Sequence, residues 1–156
     1  YYLQNVFTEY KQQVENDASQ HSSLEKIILI YRFYIKCVLE TGLEFITGLY
    51  AANTNQAFNF LERDPKNEMV LDRVREYLIE GKASGEIRSD VDINMALLRI
   101  GVIITGMIYY WCIFGGRIDL ASQTDLMLQD YLITLAANKN ASFELEPISP
   151  LEGSLI

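Results

Sequence analysis

The sequence is poor in residues that break helices, bind metals or carry positive charge. Its 156 residues include three prolines, and two of them, Pro147 and Pro150, fall in the last ten. A body so nearly free of proline favours helices over an all-β fold. There is one histidine, His21, in the polar run Ser19-Gln20-His21-Ser22-Ser23. That excludes a histidine-rich metal site and leaves imidazole catalysis to a single loop residue. No metal, cofactor or catalytic residue is expected. The two cysteines, Cys37 and Cys112, stand alone in apolar runs. They read as small buried hydrophobes in a reducing, cytoplasmic compartment, not as a disulfide. Basic residues are outnumbered, 13 Lys and Arg against 21 Asp and Glu, for a net charge of −8. Such a chain repels a phosphate backbone, so any DNA-reading part lies outside it. The chain opens on Tyr1 with no basic segment ahead of an apolar run, so an excised domain without a signal peptide is expected.

What is present is apolar and helical in period. Hydrophobic residues make up 49% and charged residues 22%, and the length suits one domain with a real core. Leu3, Val6, Phe7, Tyr10 and Val14 form one stripe of a first helix. Ser22-x-x-Glu25 fits a capping box and opens a long helix to about Ala52. The polar residues of that helix, Glu25, Arg32, Lys36, Glu40 and Glu44, make one thin wet edge, so other helices should surround it. After a break at Asn53-Thr54-Asn55, a short helix over 56–61 is predicted. A further helix starts near Pro65 and ends at Gly81 to Gly85, with Gly85 as a left-handed cap.

An Asp of Asp90-Val91-Asp92 should cap a helix over 93–114 whose sole charge is Arg99. Its uncharged run, 100–114, is shorter than the roughly 20 residues that cross a bilayer, so no membrane span is expected. A helix apolar all round is buried on both sides. The domain can cover one side and a second copy of the chain the other. A last helix is predicted from about Ala121 to Asn138, followed by an extended or frayed tail over 139–156. The expected fold is an all-α antiparallel bundle of about six helices over 1–138.

Motifs for chemistry are weak. Asp72, Glu76 and Glu80 pair carboxylates on a solvated face. Gly81-Lys82-Ala83-Ser84-Gly85 lacks the spacing and the preceding strand of a phosphate loop. The aromatic load is the informative feature. Tyrosines, two cysteines and methionines suit an apolar cavity with a few polar anchors. Tyr34, Cys37, Val38 and Thr41 share one helix face, away from the charged stripe. Opposite them, Phe58, Tyr77, Met107, Tyr110 and Trp111 are expected to complete a pocket for an apolar or aromatic ligand, with Tyr34 or Tyr110 as anchor. Arg99 is the one basic residue that could reach it, so a strongly anionic ligand is not expected. The same residues could instead fill the core.

The run Val74 to Asp92, with Gly81-Lys82-Ala83-Ser84-Gly85-Glu86-Ile87-Arg88 at its centre and Asp90-Val91-Asp92 before a long apolar helix, resembles TetR/AcrR-type transcriptional regulators. Trp111-Cys112-Ile113-Phe114-Gly115-Gly116 and Ile118-Asp119-Leu120 continue the likeness, which spans 1–138 and is most specific at 74–120. The resemblance implies the C-terminal sensing and dimerisation domain of a repressor. It would bind a small effector, pair as a homodimer, and act on DNA only through an N-terminal helix-turn-helix domain absent from this sequence. Dimerisation would use the last two helices. Gly101, Thr105 and Gly106 would allow close approach, and Leu98, Val102, Tyr109, Leu128, Tyr131, Leu132 and Leu135 would supply area. The alternative function is a helical interaction or scaffold module with a filled core.

Overall fold

A computed structural model of the chain describes residues 8–15, 21–52 and 70–156. It is an all-α bundle. A π-helical segment, Lys11–Glu15, precedes five α-helices: α1 (Ser23–Thr41), α2 (Leu43–Ala52), α3 (Val70–Ser84), α4 (Ile93–Ile113) and α5 (Leu120–Ile133). No strand occurs among the described residues. One isolated bridge joins Ile87 to Ala136. The predicted helix over 56–61, the start near Pro65 and the stripe residues Leu3 to Phe7 lie outside the described residues.

α1 is the central element and packs on α2, α3 and α5, while α4 packs on α2, α3 and α5. The capping box forms as the sequence indicates. Ser22 Oγ accepts from the Glu25 amide, and Glu25 Oε1 accepts from the Ser22 amide at 3.1 Å. A second cap comes from far along the chain. Glu86 accepts from the Ser23 and Leu24 amides at 2.9 and 3.1 Å. Two carboxylates therefore sit at the positive end of the α1 dipole and satisfy its first free N–H groups. Glu86 is held there by its neighbours. Ile87 is buried against Gly81, where a Cβ would come within 2.6 Å of Ile87 Cδ1. The Arg88 amide donates to Leu135 O, and the Ala137 amide to Glu86 O. The Gly81–Arg88 turn is thus a knot joining α1, α3 and the end of α5.

The expected single helix to Ala52 is two helices. Gly42 takes φ 98°, ψ 152°, a conformation that strains any residue with a Cβ. Its amide still donates to Val38 O and its carbonyl accepts from the Ile46 amide, so neither helix loses a terminal bond at the break. α5 ends at Ile133, short of Asn138, because residues 135–137 turn out to bond residues 86–88.

The C-terminal residues 139–156 are extended but not frayed. They form a strap across the bundle. The Glu144 amide donates to Glu25 Oε2 at 2.9 Å, Arg32 Nη1 donates to Glu146 O at 2.8 Å, and the Leu151 amide donates to Asp119 Oδ2 at 2.7 Å. The Asp119 amide donates to Ile156 O, and the Leu155 amide to Arg117 O. Ala141, Phe143 and Leu145 pack against the core. The stripe of α1 expected to face solvent is therefore used in part. Glu25 is buried, and Arg32 holds Asp125 of α5 through two bonds at 2.7 and 2.9 Å.

Candidate ligand pocket and dimer face

Spacing places Tyr34, Cys37, Val38 and Thr41 on one face of α1, and that face is turned inward. The first three are buried, and Thr41 is half-buried with its hydroxyl donating to Cys37 O at 2.8 Å. Trp111 of α4 is buried and Met107 is half-buried against the core. Two members of the expected opposite wall have other surroundings. Tyr110 is 55% exposed and stacks on Phe114, with ring centroids 6.1 Å apart. The inner face of α4 is instead Leu97, Ile100, Ile104, Ile108 and Trp111. In an α-helix Tyr110 stands about 100° around from Trp111, which takes it to the outside. Tyr110 therefore cannot anchor a ligand held against Tyr34 within one chain. Arg99 is also exposed, so it brings no charge to this interior. Phe58 lies outside the described residues.

Tyr77 belongs to a polar cluster beneath the N-terminal segment. Its hydroxyl is bonded to that of Tyr10 and donates to Glu15 Oε1 at 2.8 Å, while Arg73 Nε lies 3.2 Å from the same carboxylate. Lys26 sits over the Tyr77 ring, 5.6 Å from its centroid. Burial pushes both phenols well above the ordinary tyrosine value, and for Tyr77 the bond to Tyr10 and the nearby Glu15 push the same way. The cluster was not read from the sequence, although Tyr10 on the first apolar stripe was a signal for it.

The thiols are not poised for chemistry. Both cysteines are free. Burial pushes Cys37 and Cys112 upward, away from the thiolate, against smaller opposing effects of Thr41 and Thr47. Among the described residues no group of three His, Cys, Asp or Glu is placed to hold a metal ion.

The outer face of α4 is apolar and uncovered. Leu98 and Val102 are 59% and 63% exposed, and Met95, Tyr109, Tyr110 and Ile113 are exposed with them. Gly101, Thr105 and Gly106 floor a groove of about 690 Å³ between this face and α3, bordered by Leu71 and by Arg75, whose guanidinium donates to Asn94 Oδ1 at 2.7 Å. Of the described helices α4 alone is long and apolar enough to cross a membrane, and its inner face is buried in the bundle. On α5 and in the turn after it, the expected interface residues are placed differently. Leu128, Leu132 and Leu135 are buried in the chain's own core and cannot supply area to a partner, and Tyr131 is half-buried. The exposed apolar residues of α5 are Leu126 and Met127. An apolar i, i+4 stripe looks the same in sequence whether the chain or a partner covers it, and here the chain itself covers Leu128 and Leu132.

Comparisons with family models, with characterised proteins and with solved structures found no match to this chain.

Proposed function

We propose that this chain is the effector-sensing and dimerisation domain of a TetR-type transcriptional repressor, acting in the cytoplasm and without catalysis of its own. The observation that carries the reading is the bare outer stripe of α4. Monomeric soluble proteins rarely leave so continuous an apolar face to water. A second copy, packed about a two-fold axis, covers it with the same stripe. Leu98, Val102 and Tyr109 supply area, Gly101 and Gly106 allow close approach, and Leu126 and Met127 extend the face onto α5.

In this reading the effector is small and apolar or aromatic. It contacts the inner face of α1 at Tyr34, Cys37, Val38 and Thr41, and α4 at Met107 and Trp111. Its binding biases the N-terminal segment, whose Tyr10 and Glu15 are locked to Tyr77 and Arg73 of α3, and so sets the spacing of two DNA readers that precede this chain. DNA is contacted only through those readers. A second reading, a helical interaction module with a filled interior, is favoured by the burial of Tyr34, Cys37, Val38 and Trp111 in one packed core.

Light scattering tests the first reading by mass, with twice 17.9 kDa expected at micromolar concentration. A thermal-shift screen with aromatic and amphipathic compounds tests the effector. A ligand at a hundred times its dissociation constant adds about 2.7 kcal/mol of stability. A dimer that no compound stabilises supports the filled module instead.

A further inference from the structure

Beneath the C-terminal strap lies a small cavity of about 20 Å³, between α1 and α5. Ile28, Tyr31 and Ile35 of α1 and Ala121, Thr124 and Leu128 of α5 wall it, with the Arg32–Asp125 pair at its edge and Ile148 of the strap above. The lining is apolar but for the Tyr31 hydroxyl, the Arg32–Asp125 pair and Thr124. Thr124 is 2% exposed, and its hydroxyl makes no hydrogen bond within the protein. A buried hydroxyl without a partner costs free energy that a bound molecule can recover.

The third wall differs from the other two. α1 and α5 are helices, whereas Ile148 sits in the strap segment Pro147-Ile148-Ser149-Pro150. The strap is pinned on either side of it, by Glu146 O on Arg32 and by the Leu151 amide on Asp119. Between those pins residues 147–150 make no hydrogen bond among the described residues. The two prolines have no N–H to give and stiffen the segment into an arch. Ile148 can therefore leave without breaking any hydrogen bond, and the space it fills joins the cavity.

We infer that this is a second ligand site, for a small neutral molecule that is mostly aliphatic and carries one hydroxyl or carbonyl oxygen. Its oxygen pairs with Thr124, its apolar part takes the place of the Ile148 side chain, and the arch is the movable wall. A charged ligand is disfavoured because Arg32 and Asp125 already neutralise each other. The inference is independent of the dimer and of the effector face on α1.

The test is a titration of the intact chain with 1-butanol, followed by amide chemical shifts, beside the near-isosteric variant Thr124→Val. The expected result is saturable shifts at Thr124, Asp125, Ile148, Ser149 and Leu151, with affinity about two- to tenfold weaker in the variant, the loss of one neutral hydrogen bond. A variant spectrum that otherwise overlays the wild type establishes that the fold is kept. Shifts that rise linearly without saturating, saturable shifts confined to the Tyr34 and Trp111 region, or equal affinity in the two proteins would each overturn the site.

Discussion

α1 and α4 are both long and rich in apolar residues, yet the chain treats them in opposite ways. α1 is enclosed by its own chain. α2, α3 and α5 pack on it, and even its charged edge is partly drawn in, Glu25 by the Glu144 amide and Arg32 by Asp125 and Glu146. α4 is enclosed on one side only. Its inner stripe is as dry as α1, while Leu98 and Val102 on the other side are more than half exposed. A charged edge marks where a helix meets water. α4 carries one charge, Arg99, and no such edge, so its open side presents apolar side chains with no charged border.

Substitutions on the two sides of α4 should separate most sharply. Ile104→Ala, at a fully buried position, should cost about 2–5 kcal/mol in denaturant unfolding. Val102→Ala, two residues earlier and exposed, should change the stability of a single chain by no more than about 0.5 kcal/mol. A comparable loss from both, measured at dilution, would mean that the outer face is covered within the chain.

The charged edge of α1 should be equally uneven. Arg32→Ala leaves Asp125 buried without its cation and should cost about 2–4 kcal/mol, less than a fully enclosed pair because Arg32 keeps some exposure. Lys36→Ala breaks a half-exposed pair with Glu9 and should cost less than about 1 kcal/mol.

Much of this was legible in the sequence, and the failures have physical causes. The Ser22–Glu25 box, the Asp92 cap and the left-handed Gly85 were readable because each is a local pattern with one favoured geometry. The two-sided character of α4 was readable from its missing charges. Which side faces in was not, because a helix apolar all round has no polar residues to set its phase. Tyr110 and Trp111 then go to opposite environments although both fit the spacing from Met107. The strap is not legible because what it offers to Glu25, Arg32 and Asp119 is its own backbone, which carries no sequence signal. Glu86 stands within a recognisable motif, but its task, capping a helix that begins 63 residues earlier, depends on the tertiary fold.

Alkaline titration probes the join between the N-terminal segment and α3. Tyr10 and Tyr77 have folded values raised above the ordinary 10.0. Each must stay protonated in the native state, so its contribution is fully present below 10.0 and is lost as pH rises toward the folded value. Unfolding free energy should therefore fall as pH climbs past 10.0, and Tyr77→Phe should fall less steeply. The smallest effect concerns the start of α1. Ser22→Ala should cost only about 0.5–1 kcal/mol, because Glu86 still satisfies the Ser23 and Leu24 amides. A larger loss in thermal unfolding would show that the long-range cap is the weaker of the two.

In the proposed dimer a second copy of the chain covers the open side of α4. Sedimentation equilibrium of the wild type and of Val102→Glu, both at concentrations on the order of 10 micromolar, tests it most directly. Twice 17.9 kDa is expected for the wild type and 17.9 kDa for the variant, with unchanged helical circular dichroism, because the interface would have to bury an unpaired carboxylate. A monomeric wild type, or a variant that remains dimeric, would contradict it.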